Sequence, residues 1–150
     1  MTTSNHLFTG AVIALTVKQP LLAVPLSLLS HYVLDALPHF GYKGASDLAS
    51  MLRFRLTLIM ESVNLIGIPL LIYLLWGNSV WVYLAALAAI TPDFVWIYRY
   101  YWYDRFGLAV PLGRFSQWHL SIQWGERPWG IVVELVTLVL LIGVTIQLVA

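Results

Sequence analysis

The sequence predicts an all-α, polytopic membrane helix bundle with about five transmembrane helices and short, aromatic-rich helices at the membrane interface. Composition is the first reason. The 150 residues are 60% hydrophobic and 10% charged, whereas soluble domains are roughly 25% charged. A mean hydropathy of +0.81 leaves too few polar side chains to cover the surface of a soluble domain. We expect one integral membrane domain that spans residues 1–150.

Long apolar stretches are the second reason for this fold class, and they define the predicted helices. Four of them approach the roughly 20 residues that cross a hydrocarbon core, and the first is predicted as a short or tilted helix paired with the second. Their backbone is expected to be helical, because lipid offers no partner to free N–H and C=O groups. In chain order they are Leu7–Val17, Leu21–Leu37, Leu56–Trp76, Val80–Tyr98 and Trp129–Val149.

Two long loops, Phe40–Arg55 and Arg99–Pro128, connect these helices. The second is rich in Tyr and Trp, which is typical of a segment at the level of the lipid headgroups. We expect it to lie there as short helices. Such aromatic residues are more often membrane anchors than a platform for a ligand.

The basic side chains predict the orientation of the bundle. With five spans, both long loops and the N-terminus fall on one side, and the positive-inside rule makes that side cytoplasmic. The C-terminus is then on the opposite side. Of the eight Lys and Arg residues, Lys18 is the exception, and the others lie in the two loops: Lys43, Arg53, Arg55, Arg99, Arg105, Arg114 and Arg127.

Charge and cysteine content exclude several classes of function. A net charge of +1 argues against a nucleic-acid partner, because binding of phosphates needs a clear basic excess. The chain has no Cys, so disulfides and thiolate metal sites are excluded. Any metal ion would be held by His and carboxylate side chains. The sequence leaves the oligomeric state open.

All four histidines collect on the predicted cytoplasmic face. His6 is at the start of the first helix, His31 and His39 flank the end of the second, and His119 precedes the last. The predicted topology depends on Lys and Arg alone, so this gathering is an independent observation. Each histidine by itself is more often an interfacial or capping residue than a metal ligand.

The most specific motif is Ser30-His31-Tyr32-Val33-Leu34-Asp35-Ala36-Leu37-Pro38-His39. His31 and Asp35 are four residues apart and share a helix face. Pro38 ends the helix, and we expect the chain to turn there and bring His39 back toward that face. Nitrogen and oxygen ligands at this spacing suit zinc, or manganese or iron if further carboxylates join.

Carboxylates within the apolar helices strengthen the prediction of a divalent metal. An ionised side chain at the bilayer centre costs on the order of 3 kcal/mol or more. The helices hold too few cations to pair with these acids, and a bound dication would do so. The alternatives are protonated carboxylates, pairing with loop arginines, or water at the interface. The acids concerned are Asp35, Glu61, Asp93 and Glu134.

These motifs together resemble a pattern found in small bacterial membrane proteins and in the membrane-bound metal-dependent hydrolase family. The matching segments are Asn5-His6-Leu7 with Gly10, the Ser30–His39 block, Thr91-Pro92-Asp93 and Trp118-His119. The His-x-x-x-Asp block also resembles the helical zinc-dependent phospholipase C and nuclease group, where it supplies two zinc ligands. The resemblance implies a divalent metal, with zinc favoured, held by His6, His31, Asp35, His39, Asp93 and His119.

Two departures from these families leave the number of metal ions open. The spacing from Asp35 to His39 is shorter than in the phospholipase group. The paired histidines of the hydrolase family's late motif are here the single His119, with Gln123 one turn further on.

A hydrolase that cleaves a phosphoester or acyl bond of a membrane lipid at the cytoplasmic face is the favoured function. A catalytic metal keeps one position open for water and lowers the pKa of that water to about 7. Glu61 is the expected general base, and Arg114 or Arg127 is expected to bind a phosphate through paired N–H groups. Membrane lipid is the expected partner because of the position of the site alone.

Two other functions stay open. The first is a non-catalytic, metal-stabilised membrane module that docks other proteins through its aromatic loop, and closed four-ligand coordination would favour it. The second is a transporter of metal ions or protons. A transporter needs ligands at mid-membrane or on both sides, whereas the candidates here lie near one face.

Overall fold

The computed structural model describes residues 1–40, 48–77, 79–95, 98 and 113–149. The chain is helical through most of these ranges, so the predicted all-α class is confirmed for them. Two short 3₁₀ turns, Thr91–Asp93 and Gln123–Gly125, accompany the α-helices. The α-helices are α1 (Thr3–Val17), α2 (Pro20–Ala36), α3 (Leu48–Trp76), α4 (Val80–Ile90), α5 (Arg114–Ile122) and α6 (Gly130–Val149).

Prolines set the two ends of α2. Pro20 occupies the first turn, where its missing N–H costs no hydrogen bond and its fixed φ suits a helix. Leu37, which precedes Pro38, is extended at φ −75° and ψ 156° and ends the helix. The predicted termination by Pro38 is therefore confirmed, and it leaves His31 and Asp35 in the last two turns.

The prediction of a loop over Phe40–Arg55 is wrong for its second half, because α3 already begins at Leu48. Residues 48–55 contain good helix formers such as Leu, Ala, Met and Arg, which extend the helix beyond its apolar part. The apolar pattern indicates which segment suits lipid, and it does not indicate where the helix begins. Lys43 lies outside the described residues.

The predicted helix Val80–Tyr98 is interrupted in the structure: α4 ends at Ile90, a 3₁₀ turn follows, and residues 94, 95 and 98 are helical again. Pro92 lacks a backbone N–H and so cannot donate the hydrogen bond that would continue the α-helix, and the chain passes into a 3₁₀ turn at Thr91–Asp93. This turn places Asp93 at the end of α4.

The core is formed where α1, α2 and α4 cross. Small side chains let the backbones approach closely, as is common between membrane helices. A Cβ at Gly10 of α1 would lie 2.5 Å from the carbonyl oxygen of Ala85 and 2.7 Å from the Cα of Ala86 in α4. Ser27 of α2 donates a hydrogen bond to the carbonyl of Gly10 at 3.4 Å. Gly10 is thus a contact point for both neighbouring helices.

The outer surface of the helices is apolar. Leu21 of α2 is 84% exposed, Leu74 of α3 is 70% exposed and Val139 of α6 is 68% exposed. In the described part of the chain, one helix, Gly130–Leu148, is long and apolar enough to cross a membrane. The segments Pro20–Ala36, Ile59–Leu74 and Val80–Asp93 are apolar but shorter.

The aromatic loop Arg99–Pro128 is described from residue 113 onward, and the predicted short helices are present there as α5 and the 3₁₀ turn Gln123–Gly125. Phe115 and Trp118 of α5 are 56% and 48% exposed, while Ser116 and His119 are buried. The helix therefore has an aromatic outer face and a polar inner face. Arg99 and Arg105 lie outside the described residues.

Candidate metal centre

Three parts of the fold bring four potential metal ligands together. His31 and Asp35 come from the end of α2, Asp93 from the turn after α4, and His119 from the inner face of α5. One ligand atom from each residue lies within 4.8 Å of the others. The side chains of His31, Asp35 and His119 are fully buried, and that of Asp93 is 27% exposed. We call these four residues the ligand cluster.

Nitrogen atoms converge on one oxygen of Asp35. The Oδ2 atom lies 2.8 Å from His119 Nε2 and 3.2 Å from His31 Nε2. Gln123 donates a hydrogen bond to the same oxygen through Nε2 at 2.9 Å. The two imidazole nitrogens are themselves 3.2 Å apart, and Asp93 Oδ1 lies 3.6 Å from His31 Nε2. Ligand atoms this close to one another share a single ion-sized space.

The orientation of His31 suits a metal ligand. Its Nδ1 lies 2.7 Å from the carbonyl oxygen of Ala89 in α4. A carbonyl only accepts hydrogen bonds, so Nδ1 carries a proton, and in the neutral ring Nε2 then presents its lone pair to the cluster. A backbone carbonyl in this role fixes the tautomer and ring orientation of many metal-binding histidines.

The second oxygen of Asp35, Oδ1, faces the start of α1. His6 Nε2 lies 3.2 Å from it, and the amino group of Met1 also contacts it. The His6 ring is fully buried and stacks on that of His31, with ring centroids 4.1 Å apart. His6 therefore adjoins the ligand cluster on the opposite side of the Asp35 carboxylate.

Aromatic rings cover the outer side of the cluster. The Tyr32 ring packs edge-on against His31 and His119, with centroid distances of 5.3 Å and 5.4 Å. Phe115 and Trp118 pack on Tyr32 in turn, at 6.1 Å and 5.1 Å. These rings limit the access of water to the two imidazoles from this side.

The donor set suits a divalent cation. Two imidazoles and two carboxylates are ligands for zinc, manganese or iron. The two carboxylates would balance the charge of one dication. Buried acids without such compensation are costly in an apolar environment. The cluster thus fits a metal ion, without specifying which one.

His39, which was predicted to turn back toward His31 and Asp35, is not among the four residues of the ligand cluster. Its Nδ1 lies 2.9 Å from the carbonyl oxygen of Leu37. Its backbone pairs in a parallel bridge with Glu126 and accepts a hydrogen bond from the N–H of Arg127 at 2.9 Å. The extended conformation of Leu37 directs the chain into this pairing.

Glycines allow this pairing between the end of α2 and the segment before α6. A Cβ at Gly125 would lie 3.0 Å from the carbonyl oxygen of Leu37, and a Cβ at Gly130 would overlap the backbone of His39. We call the pairing of residues 37–39 with residues 125–130 the clasp.

The residues predicted for catalysis lie outside the ligand cluster. Glu61 is half-buried, and its Oε2 accepts a hydrogen bond from the N–H of Thr3 at 2.7 Å. Arg114 is exposed at the start of α5. Arg127 is exposed and donates a hydrogen bond from Nη1 to the carbonyl of Glu126 at 2.8 Å. Glu134, which was predicted only as an acid in need of a partner, is buried, and its Oε1 accepts from the N–H of Phe40 at 3.1 Å.

Two contributors to the site were not anticipated from the sequence. The Ala89 carbonyl orients His31, and no side chain signals this role, because every residue has a carbonyl. Tyr32 covers both imidazoles, and its position directly after His31 in the chain was the signal available.

Comparisons of the chain with protein-family models, with curated proteins and with solved structures gave no match. The resemblance to metal-dependent hydrolases therefore stays a prediction from the motifs. Functional inference depends on the geometry of the ligand cluster.

Proposed function

We propose that this protein is a membrane-embedded, metal-dependent hydrolase that cleaves a phosphoester or acyl bond of a membrane lipid. The main support is the ligand cluster, in which His31, Asp35, Asp93 and His119 bring two imidazole nitrogens and two carboxylate oxygens within 4.8 Å. These residues come from separate parts of the chain and meet in a buried space, which is the arrangement a bound ion needs.

The exposure of Asp93 supports catalysis rather than a purely structural ion. It is the ligand with 27% exposure in a cluster whose other members are fully buried, so solvent and substrate approach from its side. A divalent ion held by the cluster would supply Lewis acidity and an activated water. Asp93 is also better placed than Glu61 to accept a proton from that water, because Glu61 Oε2 holds the N–H of Thr3.

The surface of the molecule supports a lipid substrate. Apolar side chains cover the helices, and Phe115 and Trp118 flank the ligand cluster on the outside of α5. In this proposal α1–α4 and α6 cross the bilayer, although several are short, and α5 lies among the headgroups. The ligand cluster then lies at the depth of lipid ester and phosphate groups, on the cytoplasmic side.

A non-catalytic, metal-stabilised module is the second candidate. The full burial of three ligands and the aromatic cover of Tyr32 favour a closed centre. Closed coordination is typical of structural metal sites. The two candidates differ in turnover and agree in metal content.

The first prediction tests both candidates. Protein purified in detergent without added metal is expected to contain a transition metal by elemental analysis, and His31→Ala is expected to lose it. His39→Ala is the matched control, because His39 is a buried histidine outside the ligand cluster, and it is expected to retain the metal. Absence of metal from the wild-type protein would overturn the proposal.

Turnover is measured on phospholipid in mixed micelles, with released phosphate compounds and released fatty acid assayed separately. Asp93→Asn keeps the size of the side chain and is expected to lower the rate about 10²-fold or more, since it removes a ligand and proton acceptor. Metal without turnover of either bond would instead establish the non-catalytic module.

A further inference from the structure

A groove runs along the surface of the molecule between α1 and α2. Its volume is about 490 Å³, within the roughly 300–1,000 Å³ of sites that bind small molecules. The side chains that line it come from positions 9–17 of α1 and 26–34 of α2. At the rise of an α-helix, each of these stretches is about 12 Å long. We call this feature the α1–α2 groove.

One end of the α1–α2 groove adjoins the ligand cluster. Ser30 and Leu34 of α2 line the groove, and each is followed directly in the chain by a residue of the cluster. Thr9 of α1 lies about one turn after His6, whose Nε2 is 3.2 Å from Asp35 Oδ1. The groove extends from there along both helices, away from the cluster. A ligand that filled the groove would therefore have one end beside the proposed metal ion.

The polar atoms of the groove are distributed unevenly. The hydroxyl of Thr16 donates to the carbonyl of Val12 at 2.8 Å, and that of Ser30 donates to the carbonyl of Ser27 at 2.7 Å, so both are satisfied within their own helices. The Oγ1 atom of Thr9 is buried and has no hydrogen-bond partner in the part of the chain that the structure describes. Leaving a buried hydroxyl unsatisfied costs free energy. The groove thus presents an apolar surface along its length and an unpaired hydroxyl near the cluster.

We propose that the α1–α2 groove binds an acyl chain of the lipid substrate and that the ester carbonyl of this chain accepts a hydrogen bond from the Thr9 hydroxyl. The inference rests on the proposed function, because the remainder of the lipid would lie at the ligand cluster. An acyl ester matches both properties of the groove, since its methylenes suit the apolar lining and its carbonyl oxygen suits a hydroxyl donor. A chain of the bulk bilayer could cover the same side chains, but it would not be held by this hydrogen bond.

The length of the groove determines how much of the chain it can hold. With carbon–carbon bonds of about 1.5 Å, a zigzag alkyl chain advances about 1.3 Å per carbon, so about 12 Å accommodates roughly nine carbons beyond the carbonyl carbon. A longer chain would extend past Val17 into the surrounding lipid and gain no further contact with the groove. We therefore expect recognition to improve up to a chain of about ten carbons and then to remain constant.

The second prediction concerns this dependence on chain length. Hydrolysis of phosphatidylglycerols with a graded series of acyl chains is measured at a fixed mole fraction in detergent micelles. The value of kcat/KM is expected to rise up to about ten carbons and then to level off. Thr16→Trp is expected to move this plateau to chains about four carbons shorter, because a helix side chain leans toward the N-terminus and would fill one turn of the groove.

Leu21→Trp is the matched control for Thr16→Trp. Leu21 is 84% exposed on α2 and lies outside the groove, so its replacement is expected to leave the plateau unchanged. Turnover without any dependence on chain length, or an equal shift in both tryptophan variants, would overturn the inference and leave the proposed hydrolase intact.

Binding is measured separately from turnover. The probe is a phosphatidylglycerol with a photoreactive diazirine near the end of a decanoyl chain, and its crosslinks are mapped by mass spectrometry. They are expected at Val17 and Leu26, at the end of the groove away from the cluster, and excess didecanoyl phosphatidylglycerol is expected to suppress them. Thr9→Val is expected to weaken this suppression about 3- to 10-fold, the contribution of one hydrogen bond, and to leave suppression by the ether-linked analogue, which has no carbonyl, unchanged.

The outcomes separate this inference from the proposed function. Crosslinks in the groove of a protein without turnover would support the groove and overturn the hydrolase. Crosslinks spread evenly over the exposed helices would show ordinary contact with lipid and overturn the inference. Absence of crosslinks at these positions in a dimeric protein would assign the groove to a second copy of the chain and also overturn it. Equal suppression by the ester and the ether lipid in the wild-type protein would overturn the role of Thr9.

Discussion

At the residue scale, Asp35 is the side chain on which the polar groups of three helices converge. It contacts His6 of α1, His31 of α2 and His119 of α5. Its replacement would remove a metal ligand and also uncouple these helices, so loss of function in an Asp35 variant would not separate the two effects. Residues that act through Asp35 are more informative.

Gln123 is such a residue, and the third prediction concerns it. Its Nε2 donates to Asp35 Oδ2 at 2.9 Å and holds the carboxylate in position. Gln123→Ala is expected to weaken metal affinity about 10- to 100-fold, as is common when a group that orients a metal ligand is removed. Affinity is measured by competition with a chromogenic chelator.

Gln147→Ala is the matched control, because Gln147 is an exposed glutamine on α6. It is expected to leave the affinity unchanged. Equal affinities for Gln123→Ala and the wild type would show that the amide does not position Asp35.

Much of the site could be predicted at this scale. The four-residue spacing of His31 and Asp35 on a helix predicted that both bind a metal ion. The predicted position of Asp93 and His119 on the same side of the membrane added these two residues, and all four lie in the ligand cluster. His39 was predicted with them and is not in the cluster; its backbone pairs with residue 126, a contact between distant residues that no local pattern reveals.

At the scale of helices, the crossing of α1 and α4 determines how closely the elements that hold the ligands can pack. The crossing point is Gly10, whose missing side chain admits the backbone of Ala85 and Ala86. His6 lies one turn before Gly10 in α1. Ala89, whose carbonyl orients His31, lies one turn after Ala85 in α4. Close approach at Gly10 therefore supports the geometry of the site.

The fourth prediction is that Gly10→Ala destabilises the protein by about 1–3 kcal/mol, the usual cost of overpacking. The added Cβ would lie 2.5 Å from a carbonyl oxygen, so the two helices must separate. Thermal unfolding in detergent micelles is the measurement, and a lower midpoint is expected.

The matched control for this change is Gly67→Ala. A Cβ at Gly67 in α3 would meet nothing within 4 Å, and alanine is the better helix former, so an unchanged or slightly raised midpoint is expected. If both substitutions lowered the midpoint equally, close packing at Gly10 would not be the cause.

The apolar stretches predicted the helices well and their boundaries less well. The end of α2 was predicted because Pro38 acts locally. The start of α3 was missed because residues 48–55 are polar enough to be taken for a loop, yet they favour a helix. Pro92 was the available signal for the end of α4, and the apolar residues after it masked that signal.

At the scale of the whole molecule, polar groups gather at one end of the helices. His6 near the start of α1, Asp35 near the end of α2 and Asp93 after α4 meet there, as the predicted alternation of helix directions requires. Composition was enough to predict an all-α chain. The number of membrane spans does not follow from the helices alone, because Pro20–Ala36 and Val80–Asp93 are shorter than a typical span.

The fifth prediction tests the orientation of the bundle. Because the chain has no cysteine, single cysteines can be introduced without a background. In intact cells, a membrane-impermeant thiol reagent is expected to label Ser79→Cys, between α3 and α4, and to spare Gln117→Cys on α5.

Both variants are expected to react once the membrane is dissolved in detergent, which controls for accessibility. Labelling of Gln117→Cys and protection of Ser79→Cys in intact cells would reverse the proposed orientation. Labelling of both in intact cells would contradict a bilayer between them.

The clasp determines which substitutions the sequence can accept during evolution. Its hydrogen bond joins the carbonyl of residue 39 to the amide of residue 127, so it depends on backbone atoms and tolerates many side chains at positions 126 and 127. Position 130 has no such freedom, because a Cβ there would overlap the backbone of His39, and position 125 has little, because a Cβ there would lie 3.0 Å from the carbonyl oxygen of Leu37. In distantly related sequences, the contact between the end of α2 and the start of α6 would then be recognised by glycines at these two positions and not by a chemically reactive side chain.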